Sequence, residues 1–314
     1  MTNVQSNNYP IKKGTPFFSF KTCNVKQSKN ATTSDWLYEI TPKDKFFTFP
    51  IKEIWHYRDL LFLFVKRDVV TMYKQTILGP LWYFIQPLFT SVIFTIIFNT
   101  IAGIETGMVP PFLFNMASIT VWNYFSSCLT ATSDTFKANA SLFGKVYFPR
   151  VIMPLSIVIS NLIKFGLQLL IFIGFYVYYV TTGSTIYPNS TLLLFPILVL
   201  LMGMLGLGLG MIISSMVTKY RDLTFLVTFG MQLLMYISAV NYPLALVKEK
   251  LPQYSWIVDY NPMAYVIEIS RYILLDTGSF SIQSFLYVTT VTIAVLLIGL
   301  LIFNKTEKTF IDNV

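Results

Sequence analysis

A chain of 314 residues in which 54% are hydrophobic and only 12% are charged cannot be an ordinary water-soluble globule, where the charged share is roughly 25%. Its 23 bases outnumber 15 acids and leave a net charge of +8, but the bases flank apolar runs instead of covering a face, so the surplus does not read as affinity for nucleic acid. Gln75–Ile104, Thr106–Ser133, Phe165–Thr218, Leu223–Val247 and Thr277–Asn304 contain no Asp, Glu, Lys or Arg, and about 20 such residues suffice to cross a bilayer, so the fold class is an all-α polytopic membrane protein.

In chain order, residues 1–48 are rich in Asn, Thr, Ser and Lys and bury too little apolar surface to order alone, which predicts a flexible polar extension. They lack the apolar core of a secretory signal peptide, so the first spanning helix is expected to direct insertion. Residues 49–78 form the next unit. Between Ile51 and Gln75, apolar Ile54, Leu61, Phe64, Val65, Val69 and Met72 recur near one side, which predicts an amphipathic helix too short in its apolar part to span. It reads equally as an interfacial helix anchored by Trp55, Tyr57, Lys66 and Arg67 or as an ordinary juxtamembrane helix.

Residues 79–314 contain six expected spans: Leu81–Ile101, Phe112–Ala131, Val151–Val180, Leu192–Val217, Leu223–Val240 and Phe285–Phe303. The connections Gly103–Pro111 and Thr181–Thr191 carry no base, whereas Phe136–Arg150 and Thr218–Asp222 do. An even number of spans puts both termini on one side, and that side collects 19 of the 23 bases, which the positive-inside rule assigns to the cytoplasm. Between the last two spans, Asn241–Ser284 is long and punctuated by Pro243 and Pro252, with Asn261-Pro262 forming a cap and first turn before Met263–Leu275. Two short external helices folding back beside the fifth and sixth spans are expected there, with an amphipathic surface helix as the other reading.

Several chemistries are excluded. The lone histidine, His56, cannot belong to a histidine metal cluster. Cys23 and Cys128 have no spacing that suggests pairing or metal ligation, and no cofactor site is visible. The only Gly-Lys pair, Gly144-Lys145, is followed by Val146 and has Asn139 where a phosphate loop needs glycine, so the chain cannot hydrolyse ATP by that route. Gly206, Gly210 and Ser214 recur every four residues in a charge-free span, a small-residue stripe for close helix packing. The outward acids Glu105, Glu249, Asp259, Glu268 and Asp276 are unpaired in sequence and scattered among Lys248, Lys250 and Arg271, so they read as solvated surface charge.

Lys164 stands apart, because a base near the middle of the third span faces a partner or a wet cavity. With Ser160, Asn161 and Gln168 it forms one polar stripe, which either lines a hydrophilic path or satisfies helix ends or a neighbouring subunit. Aromatics concentrate in the first, second and fifth spans as Phe84, Phe94, Phe98, Trp122, Tyr124, Phe225, Phe229 and Tyr236. Core packing and interfacial belts explain most of them, and flat faces also suit stacking on sugar rings.

The run Pro50-Ile-Lys-Glu-Ile-Trp-His-Tyr-Arg-Asp-Leu-Leu, followed by Val65-Lys-Arg-Asp-Val-Val-Thr-Met-Tyr-Lys-Gln-Thr-Ile-Leu-Gly-Pro-Leu-Trp and Ile85-Gln-Pro-Leu, closely resembles the start of the ABC-2 type polysaccharide and O-antigen export permeases. The likeness extends through the six spans to Asn261-Pro262-Met263 and excludes the first 45 or so residues. It implies a homodimer in the bacterial inner membrane, joined to two copies of a cytoplasmic ABC ATPase and exporting a lipid-linked polysaccharide without covalent chemistry. It further implies a channel formed by the first, second and fifth spans, where the aromatics and Lys164 would meet the polymer, and external helices that gate the exit. The segment containing Asn139, Leu142, Phe143, Gly144, Lys145 and Tyr147 stands where the family has a coupling helix, with the Ile54–Met72 helix and its Arg58 as second ATPase contact. Arg67, Lys74 and Arg150 would offset the charge of a polyprenyl diphosphate anchor, although positive-inside topology and lipid headgroups explain the same bases. Export of a drug or small lipid, and a membrane-embedded transferase using Asp259 or Glu268, are the competing functions.

Overall fold

A computed structural model describes residues 51–74, 79–143, 145–146, 148–184, 190–220 and 222–311. The polar extension expected at residues 1–48, and Gly144 and Tyr147 of the expected coupling segment, lie outside the described residues. Among the described residues the chain is helical and contains no strand. Four helices are long and apolar enough to cross a membrane, over Trp82–Ile101, Ile152–Thr181, Thr191–Lys219 and Ile282–Glu307.

The amphipathic segment is broken at Tyr57 into α1 (Ile51–His56) and α2 (Arg58–Tyr73). The first apolar run gives α3 (Trp82–Phe94), continued by a π-helical turn over Thr95–Ile101. Then come α4 (Pro111–Ser133), the short α5 (Thr135–Ala138) and α6 (Ala140–Phe143), the 30-residue α7 (Ile152–Thr181) and α8 (Phe195–Lys219). Beyond them lie α9 (Leu223–Ile237), α10 (Leu244–Lys250), α11 (Ser255–Asp259), α12 (Pro262–Leu275) and α13 (Ile282–Ile311).

The centre of the molecule is α4, with α3, α7, α8 and α12 packed around it. Every residue from Leu113 to Trp122 is buried, including Asn115, Ser118 and Thr120. Helical carbonyls absorb the hydroxyls, Ser118 donating to Phe114 O at 2.9 Å and Thr120 to Met116 O at 2.8 Å. A helix surrounded by protein needs no lipid-matching surface, which is why this one is less apolar than its neighbours.

Glycines in α8 bring the helices together on two faces. A Cβ at Gly206 or Gly210 would sit 2.9 Å from Cys128 Cβ or 2.5 Å from Thr132 Cβ of α4. On the other face, a Cβ at Gly299 of α13 would stand 2.5 Å from Gly208 O. The close-packing reading of this stripe therefore holds, and it extends to a backbone-to-backbone contact between α8 and α13.

The fifth apolar run is shorter than expected. Helix α9 stops at Ile237 instead of Val240, and 15 residues at about 1.5 Å each give roughly 22 Å against a hydrocarbon core of about 30 Å. No residue of α9 is buried. In contrast, α12 begins where the sequence predicts it, with Asn261 Oδ1 accepting from Met263 N at 3.0 Å and Pro262 in the first turn.

The close approach of α8 and α13 gives a test. Gly208→Val or Gly299→Val should destabilise the detergent-solubilised protein by about 1–3 kcal/mol. Gly174→Ala in α7, where a Cβ meets nothing within 4 Å, should leave thermal unfolding unchanged or slightly raised. Equal melting of all three variants would refute the contact.

Candidate functional site

The eight aromatic candidates divide into three environments. Trp122 and Tyr124 are buried inside the subunit, Trp122 tilted against Phe125 at 5.7 Å and Tyr124 against Phe165 of α7 at 5.1 Å between ring centroids. They are core in the single chain. Phe225, Phe229 and Tyr236 lie on the open side of α9, with Phe225 82% exposed. Phe84, Phe94 and Phe98 on α3 and its π turn are half-buried, the last two forming an edge-to-face pair at 5.6 Å. Spacing along a helix does not reveal which face meets core, and that is why the sequence grouped them together.

The π turn carrying Phe98 is held by α4. Asn115 donates to Thr95 Oγ1 at 3.1 Å and to Asn99 Oδ1 at 2.8 Å, and Asn99 donates in turn to Ile104 O at 2.8 Å. The amide of Ala102 reaches back five residues to Ile97 O at 2.9 Å, the bond of a π turn.

The basic hairpin and the interface helix share one aromatic core. Phe136, Phe143, Phe148, Val151 and Ile152 are buried together with Phe64 of α2 and Phe303 of α13. Phe64 meets Phe148 at 5.8 Å, and Phe136 stacks on Phe303 at 4.6 Å. Phe143 is therefore interior, Leu142 is partly buried against the same cluster, and Asn139 donates to Thr135 O at 3.0 Å within the hairpin. Lys145 and Val146 point outward at its tip, and Arg58 is exposed on α2, its guanidinium over the Trp55 ring at 5.5 Å. Of the expected motor contacts, Lys145 and Arg58 are open to a partner and Phe143 supports the hairpin from within.

The three expected anchor cations also separate. Arg67 and Lys74 are exposed on and just beyond α2, with Arg67 bound to Asp68 at 2.8 Å. Arg150 is only 4% exposed, donates to Glu307 O at 2.8 Å, and lies over Phe143 at 5.2 Å, so it ties the base of α7 to the end of α13. Lys164 lies between α3, α4 and α7, donating to Asn161 Oδ1 at 2.8 Å with its ammonium 5.5 Å from the Tyr83 ring centroid.

Two outward charges expected to be solvated are not. Arg271 of α12 is 1% exposed and Glu268 5%. The guanidinium donates to Ser118 Oγ at 2.7 Å, Tyr242 O at 3.0 Å, Ala239 O at 2.8 Å and Val240 O at 2.6 Å. It also packs on Phe114 at 3.9 Å and approaches Glu268 at 3.7 Å. Glu268 in turn accepts from Ser279 N at 3.2 Å. The carbonyls gathered by Arg271 belong to the break just after α9, where Ala239 adopts φ +54°, so a buried cation replaces the solvent those groups would otherwise need. The signal available in the sequence was an acid and a base three residues apart on an otherwise apolar helix. Asp259 is engaged as well, accepting from Tyr265 Oη at 3.3 Å and bound to Lys248 at 2.8 Å; the hydrogen bond from Lys248 to Asp259 holds the ammonium above its ordinary pKa.

Arg271→Met should cost about 3–5 kcal/mol because it strands the Glu268 carboxylate and three carbonyls. Unfolding of the detergent-solubilised protein measures it, and the double variant Arg271→Met/Glu268→Met should recover part of the loss. Additive losses would show that the two groups act independently.

A sequence profile of the ABC-2 type transporter family matches residues 59–275. A protein of Klebsiella pneumoniae named O-antigen export system permease protein RfbA is 29% identical over 256 residues, covering 81% of this chain and 94% of the relative. A protein of the same name from Myxococcus xanthus is 24% identical over 264 residues, covering 84% of this chain and 98% of that relative.

Proposed function

The chain belongs to the ABC-2 type transporter family and is a multi-pass membrane transport subunit; on that premise we propose that it forms the conduit for a lipid-linked polysaccharide of the O-antigen kind, driven by a separate ATPase. The observation that carries the reading is the shared aromatic core of α2 and the α5–α6 hairpin. A partner pressing on Arg58 and Lys145 would move both elements as one body, and through Phe303, Met211 and Leu207 it would reach α13 and α8. The names of the relatives from Klebsiella pneumoniae and Myxococcus xanthus support the polysaccharide as cargo.

In this proposal α4 and α9 join the four long apolar helices to make six spans, with residues 49–78 as a cytoplasmic interface, residues 79–314 as the transmembrane domain, and both termini in the cytoplasm. Two copies of the chain pair with two copies of the ATPase in the inner membrane. The polymer runs between copies, where the outward aromatics of α3 and α9 offer faces that stack on sugar rings without fixing their register. Trp122 and Tyr124 support that wall from behind. Helices α10 to α12 fold back at the outer face and gate the exit. At the cytoplasmic end Arg67 and Lys74 meet the diphosphate of the lipid anchor first, while Arg150 keeps the base of α7 in place.

Phe94→Ala, Phe98→Ala and Tyr236→Ala should each lower surface polymer several-fold while the ATPase still co-purifies. Lys145→Glu should leave ATP hydrolysis running with export reduced. Normal polymer in all three aromatic variants would remove the stacking wall, and unchanged coupling in Lys145→Glu would move the motor contact elsewhere.

A further inference from the structure

Lys164 is the hub of three adjoining cavities. One of about 540 Å³ runs between α4 and the start of α9 along Ser126, Ser127, Thr130 and Thr228. A second of about 350 Å³ runs beneath α2 past Asp68, Thr71 and Ser160. A third, about 100 Å³, is lined by Tyr83, Gln86, Asn123, Tyr124 and Gln168. Asn161 and Lys164 line all three. The Lys164 backbone sits about 18 Å along α7 from its first residue, at about 1.5 Å per residue, and its side chain lines the cavity beneath α2 with Asp68 and Thr71.

The acids around it compensate it only in part. Among the described residues Lys164 forms no salt bridge; it donates to an amide oxygen and its ammonium lies over the face of Tyr83. Asp68 lines one cavity and favours the ammonium through space, but it also binds Arg67 at 2.8 Å; Asp134 lines another, 3.9 Å from Lys137. The third cavity has no acid in its lining: there the cation faces amides, a hydroxyl and two phenols in about 100 Å³, enough for a small polar group. A neutral sugar would leave the charge uncompensated. A phosphoryl group supplies the charge and accepts from Lys164, Asn161 Nδ2, Asn123, Gln168 and Ser127 together.

We infer that this cavity is a binding site for the phosphoryl head of a membrane lipid, held by Lys164 with α4 and α7 amides while its chain lies among the apolar helices. The cavity beneath α2 passes Thr71, three residues before the exposed Lys74, so the head reaches Lys164 from the surface where Arg67 and Lys74 lie. The site stands on the chemistry around Lys164; only the identity of the lipid as export cargo rests on the proposed function.

The test uses the full chain purified in detergent, with bound lipid counted by native mass spectrometry against added undecaprenyl diphosphate, dioleoyl phosphatidic acid and, as a neutral comparison, dioleoylglycerol. Wild type and Lys164→Arg should bind the phosphoryl lipids over dioleoylglycerol, and Lys164→Met should bind them about tenfold or more weakly. Asn123→Leu, on the facing helix, should lose binding to a lesser degree. Loss confined to undecaprenyl diphosphate marks the site as one for the export anchor, and equal loss for phosphatidic acid marks it as a general phosphoryl-lipid site. Undiminished binding by Lys164→Met would overturn the inference, as would equal affinity of wild type for dioleoylglycerol. Export is read separately: surface polymer that survives deletion of the gene would sink the proposed function while leaving this lipid site intact.

Discussion

One cation holds together the end of the molecule where α9 stops and α12 packs on α4. Arg271 gathers the carbonyls of Ala239, Val240 and Tyr242 and the hydroxyl of Ser118, so three elements that are distant in sequence meet at a single guanidinium. Without it the chain leaving α9 would bury peptide oxygens with nothing to donate to them, at a cost of several kcal/mol in a medium with little water. Five donors in a fixed fork make arginine the side chain suited to that task. Glu268, three residues earlier on α12, and the Ser279 amide beyond its end complete the arrangement, so α12 is fastened to α4 and not merely laid on it.

The end where α2, the hairpin and α13 meet depends on apolar contact instead. Phe64, Phe136, Phe143, Phe148 and Phe303 join the interface helix, the hairpin and the last helix into one cluster, and close-packed aromatic cores transmit displacement because they yield little. The two ends therefore differ in how they respond to force. At one end a rigid apolar knot passes movement onward, and at the other a directional set of hydrogen bonds resists it until several break together.

Much of this was legible in the sequence. Charge-free runs located the long helices, Asn261-Pro262 marked the start of α12, and Gly206 with Gly210 announced the tight approach to α4. What stayed hidden depended on contacts between distant residues. Val240 is as apolar as the residues of α9, so nothing local reveals that the helix stops at Ile237 and hands its carbonyls to an arginine about thirty residues later. Trp122 and Tyr124 follow the same aromatic pattern as Phe225 and Phe229, and only the neighbouring helices decide which pair is interior. Lys164 was conspicuous as a misplaced charge, but the cavities around it are made by five separate helices. Arg150 belonged to a basic segment, and its burial against Glu307 required the far end of the chain.

The π turn at Thr95–Ile101 has a geometric consequence. It holds one residue more than the α-helical path would need, and an α-helix advances about 100° of azimuth per residue. If Asn115 were to release Thr95 and Asn99 and the extra residue were expelled, Trp82–Phe94 would swivel by that angle against everything downstream. Phe94 would then trade its outlook for that of a neighbouring side chain. A helix built this way can change which side chains it presents by rotation alone, with no need to draw apart from α4.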